Sequence, residues 1–217
     1  MNLERRGWFI TIEGVDGAGK TTQVDLLCQR LKDKGIPFVR TREPGGTPVG
    51  DAIRALLLDP SSEMTPVTEA YLYASSRAEH VRRVVLPALL RGLLVVCDRF
   101  LDASVAYQGY GLADPELTED AVLEINRRAV SGITPDKTIV IDIDVELAMV
   151  RLSARDGQAG QDRLEQRGPA FFARVREGLR SIRDREPERV AWVDGSAAPE
   201  DVSLAVWQAV EAVMQRG

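Results

Sequence analysis

Residues Gly14-Val15-Asp16-Gly17-Ala18-Gly19-Lys20-Thr21 follow the spacing G-x-x-x-x-G-K-[ST]. Each fixed position in that spacing has a chemical task. The glycines let successive backbone N–H groups turn inward onto phosphate oxygens, the lysine reaches the β- and γ-phosphates, and the adjoining hydroxyl can ligate Mg²⁺. The pattern needs a strand before it and a helix after it, and the flanking residues supply both. Trp8 to Ile12 is an apolar run that predicts a buried strand. Thr22 to Lys34 predicts a helix, with Val24, Leu27, Cys28 and Leu31 on one face. The helix N-terminus adds a further anion site, so Gly14 through Thr22 form one candidate nucleotide-binding segment.

Strand-like and helix-like segments alternate along the rest of the chain. Strands are predicted at Pro37–Arg40, Leu93–Cys97, Lys137–Asp142 and Arg189–Val193. Helices are predicted from Thr47-Pro48 to Leu58, Pro66–Arg91 with a break near Pro87, Thr118–Val130, Val145–Arg155, Pro169–Arg185 and Pro199–Gln215. Thr47 followed by Pro48 is an N-cap with proline in the first turn. This alternation predicts an α/β fold with a five-stranded parallel sheet covered by helices on both faces. Ligands then collect beyond the carboxyl ends of the strands.

The chain has 217 residues, enough for one domain with a sizeable core. A net charge of −5 argues against a general nucleic-acid or membrane-surface binder. No apolar run approaches the ~20 residues of a membrane span, and the short charged start lacks a signal-peptide core. Cys28 and Cys97 sit far apart in apolar stretches and predict buried free thiols. The cytoplasm is the expected compartment.

Several reactive side chains fall at predicted strand ends. Asp98 follows an apolar run, as does a carboxylate that holds Mg²⁺, often through water; an Asp capping the next helix fits the same pattern. Asp142 shares the position but no glycine or charge cluster follows it. Arg42 and Arg99 could clamp a second phosphate bidentately or form surface ion pairs. Gly45-Gly46 allows close backbone approach. Arg151, Arg155, Arg163 and Arg167 bracket a polar glycine-containing stretch at 156–162. This is either a lid that brings arginines to developing charge or an ordinary exposed loop. Tyr73 and Arg77 share a helix face and suit either a nucleobase or ordinary packing. His80 has none of the companions of a metal site or triad and is expected to be structural or exposed.

Taken in order, Glu13 to Thr22, Arg42-Glu43-Pro44-Gly45-Gly46-Thr47, Asp98-Arg99-Phe100 and Ala103-Ser104-Val105-Ala106-Tyr107-Gln108-Gly109 resemble the thymidylate kinase family over essentially the whole chain. The first segment is shared by many NTPases; the second and fourth are far more specific. The resemblance implies a three-layer P-loop NTPase fold, one domain over 1–217 with a mobile lid around 155–167, and a homodimer. It implies ATP-dependent phosphorylation of dTMP with Mg²⁺. Lys20 and the loop amides would hold ATP, with Thr21 and Asp98 near the metal and Arg151 against adenine. Asp16 would accept from the sugar 3′-hydroxyl, and Arg42 and Arg99 would bind the dTMP phosphate. Tyr73 would stack on thymine, Arg77 would donate to its O4 edge, Ser104 and Gln108 would read the remaining edge, and Tyr107 would pack beneath the deoxyribose. Arg155 and Arg163 would be the lid arginines.

Two positions depart from common family patterns: Gly17 stands where some members carry Arg, and Asp16 where many carry Glu. The alternative is a related kinase acting on another monophosphate or a deoxynucleoside. A GTP-dependent switch would need Asn-Lys-x-Asp, and none of the four lysines follows an Asn. Arg99→Ala is expected to lower kcat/KM for dTMP at least ~10²-fold, about 2.7 kcal/mol. A change below about threefold in steady-state kinetics would remove Arg99 from the site.

Overall fold

The structure is a computed structural model that describes residues 6–156 and 162–215, with the side chains of Arg155 and Asp156 outside the description. Five parallel strands form the central layer: β1 (Phe9–Glu13), β2 (Phe38–Arg42), β3 (Leu94–Asp98), β4 (Lys137–Asp142) and β5 (Val190–Asp194). Their spatial order is β2-β3-β1-β4-β5, so β1 is central and all five of its residues are buried. The helices are α1 (Lys20–Asp33), α2 (Pro48–Leu58), α3 (Pro66–His80), α4 (Leu86–Leu90), α5 (Leu101–Ser104), α6 (Glu119–Asn126), α7 (Val145–Asp156), α8 (Gly168–Arg185) and α9 (Pro199–Met214). No helix among the described residues is long and apolar enough to cross a membrane.

The strand order dictates the layering. The connection from β1 steps toward the β2 edge, whereas the connections β2 to β3, β3 to β4 and β4 to β5 all step the other way. Right-handed crossovers therefore put α1 on one face and the helices of the later connections on the other. The side chains of β3 follow this division. Leu94 and Val96 join the core with Val24, Leu27 and Leu31 of α1, and Val95 and Cys97 pack with Val85, Ala88 and Leu89. Helix α9 closes the α1 face, with Trp207 and Val210 buried.

Local chemistry sets the element ends. Thr47, Thr65 and Thr118 each accept a hydrogen bond from the backbone N–H three residues on, and Pro48 and Pro66 occupy the first helical turn, where a missing N–H costs nothing. Gly19 starts α1 at φ 91°, so the helix begins at Lys20, two residues before the sequence expectation. The expected break near Pro87 is instead a π-helical turn, Val81–Val85, between α3 and α4. Pro87 cannot donate to the preceding turn, and the wider ladder absorbs that loss without breaking the axis.

Residues 101–111, read in the sequence only as motif, are helical: α5 runs into a π-helical segment, Val105–Gly111. Helix α8 lies directly against this segment. A Cβ on Gly178 would fall 2.9 Å from the Tyr110 ring and 3.0 Å from Ala106 Cα, and one on Gly111 would fall 2.6 Å from the Phe171 ring. The edge-to-face contact of Tyr107 with Phe171, 5.8 Å between centroids, and the Tyr110 Oη to Ser181 Oγ bond of 2.9 Å lie in the same interface. Gly178→Ala is expected to cost about 1–3 kcal/mol by overpacking, read as a lower urea midpoint at unchanged slope.

Candidate active site

The phosphate loop is built from backbone conformations that favour glycine. Gly14, Gly17 and Gly19 have φ of 144°, 82° and 91°. A Cβ at Gly14 would meet the Ile141 carbonyl at 2.5 Å, and one at Gly17 the Ala148 carbonyl at 2.6 Å. The loop is thus pressed against β4 and α7 as well as turned inward. Lys20 is buried, with Nζ donating to the Val15 carbonyl at 2.9 Å and lying 3.7 Å from Asp16 Oδ1. Burial and the like charge of Arg99 push its ammonium down to about 8, against the pull of Asp16.

Arg99 follows β3 with φ 71°, a left-handed conformation unusual for a residue with a side chain and a recurring mark of functional positions. Its guanidinium donates to the Gly14 carbonyl at 3.1 Å and to Asp16 Oδ1 at 2.5 Å, and sits 4.6 Å over the Tyr107 ring. Tyr107 Oη donates to the other Asp16 oxygen at 2.9 Å. Burial alone would raise the Asp16 carboxyl; Arg99, Lys20 and Tyr107 together hold it at about 2. Asp98 Oδ1, by contrast, is buried without a hydrogen-bond partner, as is Glu13 Oε2 on the adjacent strand.

Two adjoining cavities open at these strand ends. The larger, of about 780 Å³, is lined by the phosphate loop with Lys20, Thr21 and Thr22, by Arg42, Arg54, Asp98 and Arg99, and by Arg151 on the far side. The smaller, of about 60 Å³, is lined by Tyr73, Arg77, Ser104, Tyr107 and Gln108. Both share Asp16, Glu43, Arg54, Arg99 and Asp162. The small cavity is far below the ~300 Å³ of ordinary ligand pockets, and Leu164, just beyond the polar stretch, forms part of its wall.

Arg77 is 1% exposed and held on nearly every side. Nε donates to Glu43 Oε2 at 2.8 Å, Nη1 to Ser104 Oγ at 3.0 Å and to Asn126 Oδ1, and Nη2 to the Phe100 carbonyl at 2.9 Å. Of its five N–H donors, one on Nη2 remains. Glu43 is itself held by His80, whose Nδ1 lies 2.8 Å from Glu43 Oε1 while Nε2 lies 2.6 Å from Thr41 Oγ1. His80 is therefore a buried structural residue.

The structure brings Asp16, Gly17, Gly19–Thr22, Arg42, Tyr73, Arg77, Asp98, Arg99, Ser104, Tyr107, Gln108 and Arg151 to the two cavities, whereas Gly14, Val15 and Ala18 line neither. Arg42 stays largely exposed, 3.8 Å from Asp51. Arg151 donates to the Gly195 carbonyl at 3.3 Å, which joins α7 to the loop after β5. Arg163 lines neither cavity. Its Nε donates to the Leu57 carbonyl at 2.8 Å and its Nη1 pairs with Glu69 at 2.8 Å. The side chain of Arg155 lies outside the described residues. Asp142 is tied to Arg176 at 2.6 and 2.8 Å.

Two residues, Arg54 and Glu69, had no sequence signal, and Glu43 stood in a quoted motif without a role of its own. Arg54 lines both cavities from α2, its Nη1 donating to the Pro44 carbonyl at 3.1 Å. Glu43 and Glu69 are buried carboxylates that hold arginines. In each case the partner lies on another element, which periodicity cannot reveal.

Glu13 supplies a test of the strand-end electrostatics. Burial pushes its carboxyl up to about 8, and nearby Asp102 and Asp98 act in the same direction against Arg99. The folded state then binds more protons than the unfolded chain between about pH 4.5 and 8, so this residue makes stability fall as pH rises through that window. Glu13→Gln is expected to remove that part of the dependence. The urea-derived stability difference between pH 5 and pH 8 should shift by at least about 1 kcal/mol in favour of pH 8 relative to the parent. Parallel pH profiles of the two proteins would contradict the assignment.

The family model described as thymidylate kinase matches residues 12–206. The thymidylate kinase of Pelotomaculum thermopropionicum is 47% identical over 211 residues, covering 96% of this chain and 95% of that protein. That of Exiguobacterium sibiricum is 48% identical over 197 residues, covering 90% of each. Among solved structures, the thymidylate kinase of Ehrlichia chaffeensis superposes with a TM-score of 0.75 at 31% identity, covering 94% of this chain and 98% of that one. The family match over residues 12–206 and relatives 47–48% identical over nearly the whole chain show that the chain belongs to the thymidylate kinase family.

Proposed function

We propose that the protein transfers the γ-phosphoryl group of ATP to dTMP, giving ADP and dTDP on the route to dTTP. The observation that carries this reading is the pair of adjoining cavities that share Asp16 and Arg99. Such a pair suits two nucleotides laid end to end, with the reacting phosphates meeting at the shared wall. An oxygen of the dTMP phosphate attacks the γ-phosphorus, the bond from that phosphorus to the β–γ bridging oxygen breaks, and ADP leaves. The acceptor phosphate is already ionised near neutral pH, so no strong general base is required. Catalysis is then positioning and charge neutralisation.

In this reading the loop amides, Lys20, Thr21 and Thr22 hold the ATP phosphates, and Arg151 lies against adenine. Arg42, Arg54 and Arg99 take the dTMP phosphate. Arg99 spends two of its five donors on Gly14 and Asp16, which holds its plane still while the remaining N–H groups serve the anion. Asp16 also serves the sugar 3′-hydroxyl. Tyr73 stacks on the base, Arg77 donates its remaining N–H to O4, Ser104 and Gln108 take the other edge, and Tyr107 underlies the sugar. The small cavity widens to admit the base.

Mg²⁺ fits this site. Asp98 Oδ1 is a buried carboxylate oxygen without a partner, Thr21 lines the same cavity, and hard oxygen donors of this kind suit the ion. Asp98 and Thr21 would hold it, directly or through water, and bound there it would offset phosphate charge. We assign residues 155–167 the role of lid, with Arg155 supplying charge to the transferring group. Arg163, engaged by Glu69 and Leu57, is better cast as a fastener of that segment. We further propose one kinase domain over 1–217 and a homodimer packed on the α3 face, where Tyr71 is exposed, as is Leu123 on α6. Two buried free cysteines accord with a reducing cytoplasm.

A coupled ADP-release assay across dTMP, dUMP, dCMP, AMP and thymidine tests the acceptor. dTMP is expected to give the highest kcat/KM, with AMP and thymidine at least ~10²-fold lower. Thymidine matching dTMP would contradict the phosphate role of the arginines.

A further inference from the structure

Glu69 occupies α3 one turn before Tyr73 and two before Arg77, on the same face, yet it lines neither cavity. It is 1% exposed. One carboxylate oxygen accepts from Gln108 Nε2 at 3.0 Å; the other accepts from Arg163 Nη1 at 2.8 Å and from Arg167 Nη2. A carboxylate paired with two guanidiniums has no proton to give, so only the NH₂ end of the Gln108 amide can face it. The amide oxygen, Gln108 Oε1, is left buried with no hydrogen-bond partner, on a residue that lines the smaller cavity. The chemistry of the carboxylate thus decides the orientation of the amide.

We propose that Glu69 is a positioning residue that sets which pyrimidine the acceptor pocket takes: by holding the Gln108 amide nitrogen, it fixes the amide oxygen as an acceptor for a base N3–H. The inference rests on reading the smaller cavity as the base pocket. Thymine and uracil present N3–H and a carbonyl at C4. Cytosine presents a bare N3 and an amino group. With Gln108 fixed as acceptor and Arg77 able only to donate, cytosine meets a mismatch at both atoms, whereas an imide base satisfies both. Leaving a buried polar group unpaired is the most selective rejection a site can make. Arg163 and Arg167 tie the same carboxylate to the segment whose Leu164 lines the pocket, so base reading and seating of that segment use one anchor.

The test is the ratio of kcat/KM for dTMP over dCMP, which cancels any loss of active protein. Glutamine at position 69 can donate as well as accept, which frees the Gln108 amide to turn. Glu69→Gln is therefore expected to lower the ratio at least tenfold, chiefly through KM. That substitution leaves two half-buried guanidiniums without their counter-ion, so Glu69→Gln/Arg167→Gln is measured beside it and is expected to lower the ratio likewise. The parent enzyme is also assayed with N3-methyl-dTMP, which lacks the N3 proton and is expected to fall at least tenfold below dTMP. An unchanged ratio, within about threefold, in either folded variant overturns the proposal, as does N3-methyl-dTMP matching dTMP. Failure of the functional reading is a different result: a parent enzyme that phosphorylates neither dTMP nor dUMP.

Discussion

Buried carboxylates that hold cations in place are the constraint on which this site depends. A crevice for a triphosphate and a monophosphate must gather positive charge before either ligand arrives, and like charges roughly 4 Å apart repel by about 4 kcal/mol at an effective dielectric near 20. The protein counters that repulsion with carboxylates at strand ends and on α3. Asp16 is shared by Arg99 and Lys20, Glu43 by Arg77 and His80, and Glu69 by Arg163 and Arg167. Each carboxylate fixes the plane or reach of a group that would otherwise swing. Burial and Arg99 lower the Lys20 ammonium against the pull of Asp16, while Arg99 and Lys20 hold the Asp16 carboxyl strongly acidic despite its burial.

The sheet makes this clustering possible. Parallel strands end at the same edge, and the ladder pairs Ile12 and Arg42 with Asp98 across β1, β3 and β2. The backbone continues the alignment past the strands, with Arg99 N donating to the Ile12 carbonyl and Glu43 N to the Asp98 carbonyl. Residues 56 and 86 apart in the chain are thereby set side by side. The tight packing of α8 on residues 105–111 then delivers Tyr107 to Asp16 and Gln108 to Glu69. The side chains of the smaller cavity are thus supported from behind by core contacts, so its shape is coupled to the packing of the helical layer.

Much of this was legible from the residues. The loop spacing, its flanking strand and helix, the five strands and most helices correspond to the observed elements, because apolar periodicity and capping are local. The misses are also local in origin. The helical nature of residues 101–111 was hidden by a π-helical run whose spacing matches no standard period. The helix from Thr118 ends at Asn126, four residues early, where the Asn126 side chain turns inward to Arg77. Asp98 and Asp142 looked alike as carboxylates ending apolar runs; the structure leaves an oxygen of one unpartnered and gives the other to Arg176.

The sequence by itself determined that this chain is an α/β phosphate-binding protein with arginines at its strand ends, since short-range spacing encodes strand, loop and helix. Only the tertiary structure decided how those charges are partnered. It placed Arg54 on the wall between the two cavities, took Arg163 to Glu69, and made His80 a buried prop for Glu43. Partnering depends on distances between elements far apart in the chain, and those distances exist only once helices and sheet have packed.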